Sequence, residues 1–278
     1  MIERAATLEM APLMLRWLLA LVVLAAPARA ATKLLVTVVE RKSGQPVTGL
    51  AAADFGVLDE GAPRTVEAAQ YSAAGLMDVM LLLDTSLVGG VVQPLAGDLI
   101  AQLQPKEQMA VVAFHSSADL IQDFTSSREL LRRAVAGLKY GNTPCVLDAL
   151  YAAIDGGFQS SAFRRVVLLA TAGLEGASRV SEREVVRLAR RNGVSIYPVY
   201  VVGAERSMLE NLARQTGGAS FNLRDMRKTL NGPPGARIFE VMRSYYTLTL
   251  SGNLSLGEKL RVDVARPVKL LVSALPLE

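Results

Sequence analysis

Between residues 78 and 223, short continuous apolar runs alternate with segments whose apolar residues recur at a helical period. This alternation restricts the possible fold more than any other feature of the chain. The runs at residues 79–83, 109–114 and 166–170 are apolar at every position, which is typical of strands covered on both faces. Buried strands that alternate with helices predict an α/β fold, a doubly wound and mainly parallel sheet.

The remaining segments of this region complete the predicted order of elements. Residues 119–125 follow a strand through a short polar link, so we expect one antiparallel edge strand there. Gly193 follows Ala189-Arg190-Arg191-Asn192 and is placed as the glycine that ends a helix. Helices are predicted over residues 94–103, 127–138, 144–154, 181–191 and 207–216, and further strands over residues 195–202 and 220–223.

Both flanks of this region have a β pattern. Candidate strands are bounded by turn residues such as Gly, Pro and Asn. They predict a small β element built from N- and C-terminal segments beside the α/β domain. The candidate strands are residues 34–39, 55–58 and 65–71 before the domain, and 245–250, 259–265 and 268–274 after it. Residues 231–235 (NGPPG) are interpreted as a linker.

The first thirty residues have the pattern of a signal peptide. The apolar run at residues 17–26 is shorter than the roughly twenty residues that span a bilayer, and Ala28-Arg29-Ala30 follows it as a small-x-small cleavage site. A buried N-terminal helix is the alternative. Acidic residues in the first ten make Met10 and Met14 alternative starts. The predicted segments are 1–30 signal peptide, 31–75 β segment, 76–230 α/β domain, and 231–278 linker and β segment.

No later run is long and apolar enough to cross a membrane, so we expect an exported protein that is periplasmic, at the cell surface or secreted.

The composition limits the kinds of ligand and cross-link that the protein can have. One Cys and one His exclude an internal disulfide, a cysteine-based zinc site and a multi-histidine metal site. The 30 basic and 26 acidic residues are scattered, so nucleic acid is not an expected partner. The metal chemistry that remains uses oxygen ligands.

The loop after the first strand of the α/β domain is the candidate site. Ligands of open α/β sheets bind at the carboxyl ends of the strands, where the strand order reverses. The loop begins Asp84-Thr85-Ser86. An acid at a strand end followed by small hydroxyl residues can ligate a hard divalent cation.

Four segments resemble a von Willebrand factor A domain: VMLLLDTS at residues 79–86, the loop Gly141-Asn142-Thr143, VVLLATAG at 166–173, and ARRNGVSIYPVYVVG at 189–203. The chain is also similar, over most of residues 34–264, to bacterial VWFA-related proteins. In these, a segment VTVxDxxGxPVxGLxxxDFxVxEDG precedes the A domain, and residues 35–61 match it. A β tail follows the A domain in that family.

The resemblance implies a metal-ion-dependent adhesion site, with D-x-S-x-S after the first strand, a Thr in a second loop and an Asp after the fourth strand. Asp84 and Ser86 match the first two ligands, and Thr143 matches the Thr. Val88 replaces the third ligand of the first loop, and Ala172 replaces the second Asp. We therefore expect a degenerate site with no resident cofactor, or at most weakly bound Mg or Mn.

Two acids near this loop leave alternatives open. Glu175 follows Ala172 by three residues and is either a replacement ligand or a solvated loop acid. Asp148 follows Thr143. It either accepts hydrogen bonds from the metal ligands without contacting the metal, or fixes a loop through hydrogen bonds.

The leading functional hypothesis is an exported, non-catalytic module for adhesion or protein–protein interaction. It would bind an unidentified protein or cell-surface partner through the loops at the carboxyl ends of the sheet. The first alternative is a working Mg- or Mn-dependent adhesion site completed by a partner carboxylate. The remote alternative is a hydrolase that uses His115, although no G-x-S-x-G motif is present.

Overall fold

A computed structural model describes residues 31–159, 161–255 and 259–277. The predicted signal peptide at residues 1–30 lies outside the described residues. The strands are β1 (Ala31–Glu40), β2 (Phe55–Asp59), β3 (Ala62–Arg64), β4 (Val66–Ser72), β5 (Met77–Asp84), β6 (Gln108–Phe114), β7 (Ala118–Thr125), β8 (Arg164–Thr171), β9 (Val194–Tyr200), β10 (Phe221–Asn222), β11 (Tyr245–Ser251), β12 (Leu260–Val264) and β13 (Leu270–Leu277). The helices are α1 (Gln93–Ala101), α2 (Arg128–Ala136), α3 (Val146–Gly156), α4 (Glu182–Arg191), α5 (Arg206–Gln215), α6 (Leu223–Thr229) and α7 (Gly235–Arg243).

The central sheet has the strand order β10-β9-β8-β5-β6-β7, and every neighbouring pair is parallel except β6 and β7. This confirms the doubly wound, mainly parallel sheet with one antiparallel edge strand. All eight residues of β5 are buried because helices cover both faces of the sheet. Helices α1, α2 and α7 contribute to the core on one face, and α3, α4 and α5 to the core on the other.

The chain forms β6 on one side of β5 and later places β8 on the other side. Strand order therefore reverses between β5 and β8. At this point the loops that follow the two strands diverge to opposite faces of the sheet and leave a crevice between them. The last residues of the two strands, Asp84 and Thr171, lie at this edge.

The flanking segments form two antiparallel sheets, β13-β1-β11-β4 and β12-β2-β3. Strand β1 pairs with both β11 and β13, so the N- and C-terminal segments interleave in one sheet. A third apolar core, which includes Leu34, Val57 and Leu248, lies between these strands. The predicted β element is confirmed, and the described residues from Ala31 onward form one compact unit.

Local sequence signals explain several helix ends. Helix α4 begins with a capping box in which Ser181 and Glu184 exchange side-chain and backbone hydrogen bonds. Gly193 follows α4 with a φ of 62°, a left-handed conformation that glycine adopts without strain.

Helices α6 and α7 have no counterpart in the sequence interpretation. Gly235, the last residue of the predicted linker, is instead the first residue of α7. Among the described residues, no helix is long and apolar enough to cross a membrane.

Candidate functional site

The carboxylate of Asp84 joins the two loops at the switch point. Its Oδ1 accepts a hydrogen bond from the Ser86 backbone N–H at 2.9 Å. Its Oδ2 accepts one from the Thr171 hydroxyl at 3.0 Å and one from the Ala172 backbone N–H at 2.9 Å. The side chain is fully buried. Both carboxylate oxygens therefore already satisfy donors of the protein, as a buried charge requires.

The loop after β5 is held in place by backbone contacts. Thr85 donates from both its N–H and its hydroxyl to the carbonyl of Phe114, the last residue of β6. A Cβ at Gly89 would lie 2.1 Å from the Asp84 carbonyl oxygen, so only glycine allows the loop to fold this closely over the strand end. The loop is positioned by the fold before any ligand arrives.

The second loop, with Gly141 and Asn142, is bonded to the first. The Gly141 N–H donates to the Thr85 carbonyl at 2.9 Å, and the Leu87 N–H donates to the Asn142 carbonyl at 3.0 Å. Asn142 adopts a φ of 59°, a conformation that asparagine tolerates better than most residues. The structure thus brings Asp84, Ser86 and the loop that contains Thr143 to one edge of the sheet, while the Thr143 side chain is exposed.

Two buried hydroxyls of this region have no hydrogen-bond partner among the described residues. They are Ser86 Oγ and the phenol of Tyr140. Burial raises the pKa of Tyr140, and the negative charge of Asp84 raises it further. The sequence interpretation missed Tyr140. Its position directly before Gly141-Asn142-Thr143 was the available signal.

The two positions without an expected ligand differ in exposure. Ala172 is 1% exposed and contributes only its backbone N–H. Val88 is 40% exposed, and its neighbours Leu87 and Val91 are 77% and 53% exposed. We call Leu87, Val88 and Val91 the apolar rim. These exposed aliphatic side chains lie on one short loop beside the ligand edge, where another molecule can cover them.

Glu175 does not point to the Asp84 carboxylate. Its Oε2 accepts a hydrogen bond from the backbone N–H of Val146, the first residue of α3, at 2.8 Å. An acid at a helix N-terminus is stabilised by the unpaired N–H groups there. Burial raises the pKa of Glu175 above its usual range, although hydrogen bonds from Ser178 and Val146 oppose the shift. The residue is a half-buried helix cap rather than a solvated acid.

Asp148 fixes the loop that contains Glu175. Its Oδ1 accepts hydrogen bonds from the backbone N–H groups of Arg179 at 2.8 Å and Val180 at 3.0 Å. Its own N–H lies 3.3 Å from the Ser178 hydroxyl oxygen, which accepts from it. This is the loop-fixing role that the sequence left open for Asp148. Among the described residues, no group of three or more His, Cys, Asp or Glu side chains is arranged to hold a metal ion.

His115 lies at the end of β6 and directs its ring to its own loop. Its Nδ1 accepts a hydrogen bond from the Ser116 backbone N–H at 2.7 Å and lies 3.1 Å from the Ser116 hydroxyl. Asp84 directs both oxygens to Ser86, Thr171 and Ala172 instead. The acid that a catalytic triad would need to orient the histidine is therefore engaged elsewhere.

The sheet order, the antiparallel edge strand and an Asp followed by hydroxyl residues at the switch point define a class of α/β domain that presents binding loops at one edge of its sheet. The model of the von Willebrand factor type A domain matches residues 78–232, more than half of the chain. The chain belongs to this family. No curated protein matches it in sequence.

Solved structures support the fold. The chain is similar to proximal thread matrix protein 1 from the mussel byssus, with a TM-score of 0.54 and 19% identity, over 66% of this chain and 50% of the mussel chain. A second structure of the mussel protein has a zinc-occupied metal-ion-dependent adhesion site, and matches with a TM-score of 0.52 and 18% identity over 66% of this chain and 50% of that one. This chain spans about half the length of that relative.

Proposed function

We propose that this protein is a non-catalytic interaction module. It binds a protein or cell-surface partner through the loops at the carboxyl ends of β5 and β8, without depending on a resident metal ion. The observation that carries the proposal is the combination of a buried, fully hydrogen-bonded Asp84 with an exposed apolar rim at the same edge. Von Willebrand factor A domains mediate protein interactions, and this chain belongs to that family.

The residues present do not fit a magnesium or manganese ion well. Mg²⁺ prefers near-octahedral oxygen coordination in which carboxylates and waters supply the ligands. The unpartnered hydroxyl of Ser86 suits such an ion. Asp84 is nevertheless the only carboxylate retained from the family pattern, and a metal would have to compete with three hydrogen-bond donors for its oxygens. Val88 and Ala172 supply no side-chain oxygen.

The apolar rim supplies the affinity that a metal supplies elsewhere in the family. Fully burying a wholly exposed leucine or valine side chain contributes roughly 1.5–3 kcal/mol, and the half-exposed Val88 and Val91 contribute less in proportion to their exposed area. Leu87, the most exposed member of the rim, is the anchor in this proposal. Contacts of this kind depend on shape and apolar area, so they persist when divalent ions are removed.

We further propose that residues 1–30 are a signal peptide and that the mature chain acts outside the cytoplasm. Residues 31–75, 76–230 and 231–278 are in this view segments of one folded unit. The interleaved pairing of β1 with β11 and β13 supports this arrangement, because the first and last segments share a sheet.

Isothermal titration calorimetry tests the metal-independent site. Mg²⁺ and Mn²⁺ are titrated into the chain that begins at Ala31 and into its Ser86→Ala variant. We expect no binding tighter than about 1 mM for either ion in either protein. Tighter binding to the unchanged chain that disappears in Ser86→Ala would support the metal-dependent alternative and overturn the proposal.

A capture experiment tests the surface. Immobilised protein, its Leu87→Asp variant and a Leu120→Asp control are compared for the envelope proteins they retain, with and without chelator. Leu120 is a suitable control because it is an exposed leucine on β7, outside the apolar rim. We expect specific partners that survive chelator, remain with Leu120→Asp and are lost with Leu87→Asp. Partners lost in chelator, or retained by Leu87→Asp, would contradict the proposed surface.

A further inference from the structure

A groove runs along α4 and α5 and continues to β13. It consists of two adjoining cavities of about 820 and 990 Å³. Both cavities are lined by Glu182, Arg190, Asn211 and Gln215, so they form one continuous depression. We call it the α4–α5 groove. Its lining includes none of the residues of the apolar rim, nor Asp84, Ser86 or Thr143.

The smaller cavity is strongly basic. It is lined by Arg183, Arg187, Arg190 and Arg191, and by a single carboxylate, Glu182. Three of these arginines, at positions 183, 187 and 191, are spaced four residues apart on α4 and therefore share one helix face. The sequence alone favours a solvated helix face for such a set. In the structure Arg183, Arg187 and Arg191 are exposed, as on a solvated face, and together with Arg190 they line a concave surface.

Hydrogen bonds between side chains and backbone hold the walls of the groove in place. Arg190 donates from Nε to the Gln215 carbonyl at 2.9 Å, which joins α4 to the end of α5. Asn211 donates to Glu182, so this carboxylate has a partner across the groove. Arg183, Arg187 and Arg190 all have interactions within the protein. The inference therefore rests on the net charge and concave shape of the lining, not on unpaired guanidinium groups.

We propose that the α4–α5 groove binds an acidic peptide segment of a partner protein. A guanidinium binds carboxylates in a planar, bidentate manner, so a concave lining with four arginines and one carboxylate favours a ligand that carries carboxylates. The buried side chain of Val186 and the ring of Pro276 add an apolar floor between the charges. A carboxylate-bearing chain that lies in the cavity meets both features.

The lining disfavours two other polyanions. Single-stranded nucleic acid is held by stacking on aromatic side chains, and no aromatic residue is found among the described residues that line the smaller cavity. A membrane surface is contacted by an exposed basic face with apolar side chains at its level. Here the apolar residues beside the arginines, Val186 and Pro276, are buried and cannot insert into a membrane.

The lining of the larger cavity further specifies which residues the peptide ligand should carry. Its charges are nearly balanced, and its wall on the β side includes Val268 and Leu271, which are 48% and 39% exposed. A segment that extends from the arginines along the groove therefore meets aliphatic surface. The ligand class is an acidic run adjoined by aliphatic residues.

Fluorescence anisotropy tests this inference with a labelled peptide of four glutamates followed by three leucines, titrated with the chain that begins at Ala31. We expect saturable binding that weakens as salt rises, and a loss of about tenfold or more in affinity for Arg183→Glu/Arg187→Glu. The control is Arg132→Glu/Arg227→Glu, which changes the net charge equally at exposed helix positions outside the groove. Circular dichroism verifies that each variant is folded.

The outcomes are separable. The groove is supported if Arg183→Glu/Arg187→Glu loses affinity while the control binds like the unchanged protein. It is overturned if the peptide does not bind, if Arg183→Glu/Arg187→Glu binds normally, or if both double variants lose affinity equally. Tighter binding of anionic vesicles or of oligothymidine, lost in the same groove variant, would overturn the peptide as the ligand class. Leu87→Asp should bind the peptide normally, so failure of the proposed function does not affect this result.

Discussion

The Asp84 carboxylate is a structural hydrogen-bond acceptor at the point where a family pattern predicts a metal ligand. Three donors from two loops converge on it, and it has no exposed surface. The sequence located this residue correctly at the switch point, because a strand end is a local feature. That its oxygens are engaged depends on β8, which is nearly ninety residues away in the chain.

Asp84→Ala should destabilise the protein by about 3 kcal/mol or more, because it leaves buried donors without an acceptor. Urea denaturation in chelator measures this. Ser86→Ala is the matched control, since it removes a hydroxyl that has no partner among the described residues and keeps the backbone donor. Equal stability of Asp84→Ala and the unchanged protein in chelator would contradict the structural role.

Glu175→Gln should change the pH dependence of stability. The folded pKa of Glu175 lies above its ordinary value of 4.5, mainly through burial, so the folded carboxyl binds more protons than the unfolded one above that pH. The stability of the unchanged protein therefore falls as pH rises through this window. Glutamine keeps an acceptor for the Val146 N–H without a charge. The Tm of the variant relative to the unchanged protein should rise as pH rises above 4.5.

Glu184→Gln is a control for which we expect the opposite pH dependence of the relative Tm. Hydrogen bonds from the Ser181 backbone and hydroxyl hold the pKa of Glu184 below its usual range. The ionised group stabilises the capping box above its ordinary pKa, and this stabilisation is lost as pH falls. The relative Tm of Glu184→Gln should therefore fall as pH rises. A parallel trend in the two variants would contradict the assignment of Glu175.

At the scale of elements, the contact between the end of α5 and the flanking sheet depends on a glycine. Gly217 has a φ of 71°, and a Cβ there would lie 2.8 Å from the Leu275 Cβ in β13. The neighbouring Thr37 hydroxyl donates to the Gly217 carbonyl at 2.7 Å. This glycine allows the sheet built from the chain's two ends to lie directly against the α/β part.

Gly217→Ala should cost about 2–4 kcal/mol, because it adds a steric clash to the strain of a left-handed conformation. Gly44→Ala is the control. Gly44 has a φ of 66°, and a Cβ there would have open space, with no atom of the described residues within 4 Å beyond its chain neighbours. This variant therefore isolates the backbone strain, at about 1 kcal/mol. Urea denaturation compares the two variants. Equal losses of unfolding free energy in the two variants would show that the close approach of β13 to Gly217 adds no steric cost.

At the scale of the whole molecule, α7 belongs to the core of the α/β part although it follows the predicted linker. Ile238, Phe239, Val241 and Met242 are buried in the same cluster as residues of α1 and β5. The buried side chain of Glu107 accepts hydrogen bonds from Arg243, at the end of α7. The segment that follows residue 230 therefore completes the α/β core before the chain enters β11.

A chain of residues 76–230 should be much less stable and less soluble than one of residues 76–244, because the shorter chain lacks α7 and exposes the apolar surface beneath it. Thermal unfolding of both chains, beside residues 31–278, measures the difference. Indistinguishable unfolding of the two shorter chains would contradict the role of α7 in this core.

The sequence by itself determined the order of buried strands and helices, the antiparallel edge strand and the two β flanks, because periodicity and turn residues are local properties of the chain. It also placed Asp84 and Ser86 at the carboxyl edge of the sheet, because ligand loops of parallel strands share that edge. Thr143 lies in the loop between α2 and α3, and only the family resemblance assigned it to the same site. It missed α7, whose apolar residues follow a Pro-Pro-Gly sequence typical of a linker.

Only the tertiary structure decided what the polar groups do. Asp84 accepts a hydrogen bond from Thr171, and Glu175 accepts one from Val146. The arginines of α4 line a groove together with Gln215 and Pro276. Each of these relations joins residues that are far apart in the sequence. A side chain's hydrogen-bond partners and exposure are set by the elements packed around it, and no local pattern records which elements these are.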